Sequence, residues 1–228
     1  MKLILFDIDG TLLLSKGAGM RAMERAGKSV FGDHFTFEGI TPAGGLDPML
    51  VAQAAANHGI DDAHDHQDRF LGHYREALED ELRINAHRLQ VMPGIMPLLE
   101  ELRSRQDLIL GLLTGNFAVT AKVKLNAAQI PWDWFRLGAF GDDGPYREDL
   151  PPVAIQRCAD TTGHQINPEH VIIIGDTPRD IDCARANGCI SLAVATGPYD
   201  TDQLASHGPD ILVADLADPS PLMDVINA

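Results

Sequence analysis

The sequence predicts an α/β protein, a doubly wound parallel sheet with an all-helical domain inserted into it. Three observations predict this. Five apolar runs, 3–8, 108–113, 171–174, 190–195 and 211–213, are short and nearly continuous. Helical stretches separate most of them. One long segment, 15–89, contains no convincing strand. Continuous apolar runs suit parallel strands covered on both faces, and their alternation with helices suits βαβ units.

The elements follow in order. The first run ends in Asp7-Ile8-Asp9-Gly10-Thr11. The segment 15–89 then reads as helices at 19–30, 48–58 and 63–82, with Thr41-Pro42-Ala43-Gly44-Gly45 as punctuation. A helix at 95–105 leads into the second run, which ends in Thr114-Gly115-Asn116, and a helix at 117–129 follows. Trp132 and Trp134 are expected to pack in the core beside a strand. A helix at 153–161 precedes the third run, which ends in Gly175-Asp176-Thr177-Pro178-Arg179-Asp180. Thr177 to Asp180 reads as a capping box with Pro at the first helical position, starting a helix at 178–187 that Gly188 ends. The expected division is an α/β core of 1–14 and 90–228 and a helical cap of 15–89.

Composition narrows the function. The 228 residues are 45% hydrophobic and 22% charged, as in a soluble globular protein. A net charge of −15 repels nucleic acid and anionic membranes, so neither is an expected partner. A small anionic substrate stays open, because a site can be locally positive. Cys158, Cys183 and Cys189 form neither a disulfide framework nor a CxxC pair, which suits a reducing compartment. Asp7 and Asp9 cut the first apolar run too short for a signal-peptide core, and no run reaches the roughly 20 residues of a membrane helix. The expected location is cytoplasmic.

Open parallel sheets bind ligands beyond the carboxyl ends of their strands. Three polar, Gly-containing strand ends therefore share one rim. Asp7 and Asp9, two residues apart, would point the same way in a continuing strand, and Gly10 lets the backbone turn there. Close carboxylates repel unless a cation or proton lies between them. With Asp176 they form an oxygen-only set that suits Mg²⁺. Thr114 can supply a hydroxyl, and Gly115 and Asn116 backbone N–H groups, to a phosphate. Thr114 reads equally as a helix N-cap, Asp180 as a purely structural capping acid, and Asp7-Ile8-Asp9 as a solvated turn.

At these residues the sequence resembles the haloacid dehalogenase superfamily. Its first motif, DxDGT, stands as Asp7-Ile8-Asp9-Gly10-Thr11, its second as Leu112-Leu113-Thr114-Gly115-Asn116, and its fourth as Ile174-Gly175-Asp176-Thr177-Pro178-Arg179-Asp180. The third motif departs from the pattern. Where the family has a Lys, often in Gly-Lys-Pro, this chain reads Tyr146-Arg147-Glu148-Asp149-Leu150-Pro151-Pro152. Arg147 is the candidate cation, since a guanidinium grips phosphate bidentately. The alternatives are a surface Arg147 paired with Glu148 or Asp149, with Lys122 or Lys124 as reserve cations; both lysines are expected on a solvated helix face.

The resemblance implies a phosphatase with a helical cap. Asp7 would be the nucleophile, Asp9 the acid and base, and Thr114 and Arg147 the groups on the phosphoryl oxygens. Mg²⁺ would be held by Asp7, Asp176 and the backbone carbonyl of Asp9, with Asp180 behind them. Asp9 favours phosphate-ester chemistry over dehalogenation, and the implied substrate is a small phosphorylated metabolite. A phosphotransferase, such as a sugar-phosphate mutase, or a non-catalytic binding protein are the competing readings. In the cap, Gly44-Gly45-Leu46-Asp47 falls where phosphoglycolate-phosphatase-like relatives carry Gly-x-Thr-Asp, with Leu46 in the place of Thr. Gly17 and Gly19 read as hinge or turn residues. His58, His64, His66 and His73 lie in an acidic stretch and read as a solvated face.

Overall fold

The computed structural model describes residues 1–228. Strand β1 (Lys2–Phe6) opens the chain, followed by a two-residue strand β2 (Leu13–Leu14). Three helices come next: α1 (Ala18–Phe31), α2 (Asp47–Asn57) and α3 (Gln67–Ile84). Strand β3 (Gln90–Val91) pairs antiparallel with β2, so the chain leaves and re-enters the α/β layer side by side. Then follow α4 (Ile95–Ser104), β4 (Leu108–Leu113), α5 (Ala118–Ala127), β5 (Leu137–Ala139), α6 (Leu150–Thr162), β6 (Val171–Gly175) and α7 (Pro178–Ala186). The chain ends with β7 (Ile190–Val194), α8 (Thr201–Ala205), β8 (Ile211–Val213) and α9 (Ser220–Asn227).

Six strands form one parallel sheet in the order β5-β4-β1-β6-β7-β8. The strand runs are continuously apolar because both faces are covered. Along β1, Ile4 and Phe6 enter one core, and Leu3 and Leu5 enter the other. Register places the functional ends together: Phe6 pairs with Leu112 on one side and with Ile174 on the other. No helix is long and apolar enough to cross a membrane.

The helical insertion has its own core, in which Ala22, Ala26, Phe70, Tyr74 and Leu78 pack together. Two residues cross-link it to the α/β layer. Leu46 is buried in the sheet's core, and Phe117 is buried in the insertion's core. The Asp47 N–H also donates to the Gly115 carbonyl at 2.7 Å.

Several expected elements shift. Strand β1 stops at Phe6, because the Leu12 and Leu13 N–H groups fold back onto the Ile8 carbonyl. The expected 63–82 helix begins as a 3₁₀ turn, Ala63–His66. Strands β2, β3 and β5 are only two or three residues long, too short for a periodic signal. Trp132 and Trp134 form a half-buried 3₁₀ turn against the sheet's core, where Trp132 stacks on Phe140.

Candidate active site

Three adjacent strand ends deliver the site. Asp7 extends the ladder by one bond, its N–H donating to the Ile174 carbonyl at 2.9 Å, and its carboxylate is buried. Arg147, in the 3₁₀ turn before α6, lies over it, with Nη2 3.4 Å from Asp7 Oδ1. The same Nη2 donates to Asp180 Oδ1 at 2.5 Å. Asp180 Oδ2 accepts the Thr177 N–H at 3.0 Å and the Thr177 hydroxyl at 2.7 Å. Asp180 therefore caps α7 and anchors Arg147 at once. Arg147 is buried and paired with these core acids, not with Glu148 or Asp149.

Asp176 is 1% exposed and accepts from the Thr11 hydroxyl at 3.3 Å. Oxygens of Asp7, Asp176 and Asp180 all lie within 4.8 Å of one another. Burial pushes the Asp7 carboxyl up to about 6; Arg147 opposes this, and Asp180 and Asp9 add to it. Burial also raises Asp176 well above the usual carboxylate range, reinforced by Asp7 and Asp180. Burial alone would lower the Arg147 guanidinium, but Asp180 and Asp7 more than offset it and hold the charge.

This cluster fits a hard divalent cation. Its donors are all oxygens, and the backbone is drawn in tightly around it. A Cβ on Gly10 or Gly197 would overlap the Asp176 carboxylate. Both Asp180 oxygens are already engaged, so Asp7 and Asp176 are the side chains with capacity to spare.

Asp9 does not share that cluster. Strand β1 ends at Phe6, so the continuing strand that would have put Asp7 and Asp9 on one face does not form. The Asp9 carboxylate is 40% exposed and is not among the clustered oxygens of Asp7, Asp176 and Asp180. Its Oδ2 accepts from Lys124 Nζ at 2.5 Å and from Asn116 Nδ2 at 2.9 Å. Lys124 is thus buried at the site, which corrects its expected place on a solvated face. Lys122 stays outside, 5.8 Å from the Trp132 ring centroid.

Thr114 is fully buried, and its Oγ1 accepts from Asn116 Nδ2 at 2.7 Å. With its acceptor side occupied, its O–H is available to donate. The residue before α5 is Phe117, so Thr114 is not that helix's N-cap. A cavity of about 700 Å³ opens above these groups, bounded on the far side by Met20, Thr41, Gly44, Asp47 and Tyr74.

The family model for haloacid dehalogenase-like hydrolases matches residues 1–188. The chain belongs to that family. Phosphoglycolate phosphatase from Vibrio vulnificus is 27% identical over 99% of this chain and 96% of its own length. Pyrophosphatase PpaX from Oceanobacillus iheyensis is 27% identical over 96% and 94%. A hydrolase from Pseudomonas syringae has the same fold, with a TM-score of 0.70 and 23% identity over 99% of both chains.

Within this haloacid dehalogenase-like frame, sequence reasoning missed several rim residues. Asp47, the first residue of α2, is buried at the insertion's face on the cavity, where burial pushes it up to about 7 against the pull of Lys124. The Tyr74 hydroxyl donates to Asp47 Oδ2 at 3.3 Å, and burial, then Asp47, raises that phenol well above its usual value. Asp47 had two visible signals, its place in Gly44-Gly45-Leu46-Asp47 and its position beside Pro48 at the start of a helix, but neither announces its burial against Lys124 and Tyr74. Tyr74 had none. Thr196 also reaches the rim, its hydroxyl donating to the Gly10 carbonyl at 2.5 Å. Leu46 packs into the sheet's core instead of facing the cavity. Gly17 and Gly19 both border the cavity, Gly17 as the residue preceding α1. His58 is engaged locally, its Nε2 accepting the Thr36 N–H at 3.0 Å.

Proposed function

We propose that this haloacid dehalogenase-like hydrolase is a Mg²⁺-dependent phosphatase of small phosphomonoesters, working through an aspartyl-phosphate on Asp7. One observation supports this above the rest: the two aspartates of the first motif occupy different environments. Asp7 sits in the buried acidic cluster against Arg147, and Asp9 faces the cavity from the Lys124 side. Two carboxylates with different surroundings suit two different roles.

An Asp7 oxygen attacks phosphorus as the bond to the leaving oxygen breaks, and Asp9 gives that oxygen its proton. Water then attacks the phosphorus of the acyl phosphate, Asp9 takes a proton from it, and Asp7 and phosphate are released. Thr114 and Arg147 steady the phosphoryl oxygens, and the Gly115 and Asn116 N–H groups complete the cradle. Held by Asp7, Asp176 and the Asp9 carbonyl, Mg²⁺ would supply positive charge to the phosphoryl oxygens. We assign 15–89 as the cap that closes the cavity, and 1–14 with 90–228 as the catalytic core. The phosphatase relatives support a small phosphorylated metabolite as substrate.

Phosphate release from a panel of phosphomonoesters, with Mg²⁺ and with a chelator, tests the proposal. We expect Mg²⁺-dependent release that Asp7→Asn lowers by about 10⁴-fold or more. Isomer interconversion without phosphate release would point to a phosphotransferase. Unchanged turnover in Asp7→Asn would overturn the proposal.

A further inference from the structure

We infer that Lys124 is a positioning residue that holds both Asp9 and Thr114 in their working orientations through Asn116. The inference rests on the phosphatase reading above and concerns a residue outside its four motifs.

The three side chains close a ring. Lys124 Nζ donates to Asp9 Oδ2 at 2.5 Å and to Asn116 Oδ1 at 2.6 Å. Asn116 Nδ2 donates to Asp9 Oδ2 at 2.9 Å and to Thr114 Oγ1 at 2.7 Å. The Lys124 bond fixes which way the Asn116 amide faces, since only its oxygen can accept from an ammonium. Once fixed, the amide presents N–H groups to Asp9 and Thr114 together. Thr114 is left to donate its own hydrogen, and Asp9 is held at the cavity edge. Two donors share one Asp9 oxygen. The only other contact to the carboxylate is the Ser15 hydroxyl, at 3.5 Å from Oδ1.

The insertion roofs this ring. A Cβ on Gly19 would lie 3.4 Å from Lys124 Nζ and 3.5 Å from the Tyr74 hydroxyl, so α1 sits directly on the lysine. Asp47 and Tyr74 close the remaining side. Lys124 is 4% exposed, and the charge-assisted hydrogen bonds it makes to Asp9 and Asn116 are strong and directional. Arg147 cannot substitute, because its guanidinium lies against Asp180 and Asp7 and makes no bond to Asp9.

The test compares leaving groups. Protonation by Asp9 matters for an alkyl phosphate and little for p-nitrophenyl phosphate, whose leaving group departs unaided. Lys124→Met is expected to lower kcat on glycerol phosphate by about 10²-fold, with a much smaller loss on p-nitrophenyl phosphate and little change in KM. Lys124→Arg, which keeps the cation, should recover much of the loss. Adding Lys124→Met to Asp9→Asn should cost far less than it costs the wild type, because the lysine works through Asp9. Equal losses on both substrates, or full additivity with Asp9→Asn, would overturn the inference. A crystal structure of Lys124→Met gives a readout independent of turnover. The Asp9 carboxylate and the Asn116 amide should leave their present positions, and finding both in place would overturn the inference even if the wild type proved not to be a phosphatase.

Discussion

The two aspartates of Asp7-Ile8-Asp9 are separated by one residue and have different partners. On the sheet side, Asp7, Asp176 and Asp180 crowd around a single guanidinium, all nearly sealed from water. On the insertion side, Asp9 is partly open to the cavity and has an ammonium of its own, 2.5 Å away. The first group has more carboxylates than cations and suits a divalent ion. The second is nearly balanced and suits proton transfer. Sequence proximity thus gives adjacency with different partners, Arg147 beside Asp7 and Lys124 beside Asp9, because the strand ends at Phe6 before either carboxylate.

The sheet-side cluster should break hardest. Removing one partner from a buried ion pair leaves an uncompensated charge, at a typical cost of about 3–5 kcal/mol. Arg147→Met is expected to destabilise the protein by about that much and to abolish turnover. Arg147→Lys keeps the charge but loses the planar fork that spans Asp7 and Asp180, so it should fold better than Arg147→Met and still be slow. Urea unfolding and turnover check both. Arg147→Met with wild-type stability would show that the cluster is not organised around that guanidinium.

The seam between the two regions comes next. A Cβ on Gly115 would collide with the Gly45 carbonyl oxygen, at the point where Asp47 N–H reaches the Gly115 carbonyl. Gly115→Ala should push the insertion's loop off the rim. Misplacement by about 1 Å can cost about 10²-fold in rate, so kcat/KM should fall by about that factor. Gly72→Ala in α3 is the control: its Cβ would meet nothing within 4 Å, and the change should leave turnover unaltered and slightly favour the helix. Steady-state kinetics on both variants measures the difference.

The same contrast explains what the sequence could disclose. Asp7, Thr114 and Asp176 were legible because each follows a continuous apolar run, and parallel register then aligns the run ends. Arg147 was legible only through resemblance; its fixing by Asp180 depends on a turn 33 residues away in sequence. Lys124 was misread for a physical reason. The buried face of α5 is Thr120, Ala121, Lys124 and Leu125, in which polar and apolar residues share one side because that side covers both the core and the site. Apolar periodicity cannot find a face of that kind. Asp47 and Tyr74 meet across helices of the insertion, and no local pattern announces such a contact.

The smallest effect isolates Asp47, a second buried acid within the field of Lys124. In the folded protein it holds its proton up to about 7, against an ordinary value of 3.8. Between those values the folded state binds more protons than the unfolded one, so this group makes stability fall as pH rises. Its contribution is fully present below pH 4 and is lost as pH passes 7. Asp47→Asn removes the titration while keeping a polar partner for Tyr74. In chelator, without divalent metal, the wild type should therefore lose stability relative to Asp47→Asn by about 2 kcal/mol between pH 5 and 8. Thermal or urea melts of both proteins across that range supply the measurement. Parallel pH profiles would mean that Lys124 holds the Asp47 carboxylate charged against its burial, and the raised proton affinity would be refuted.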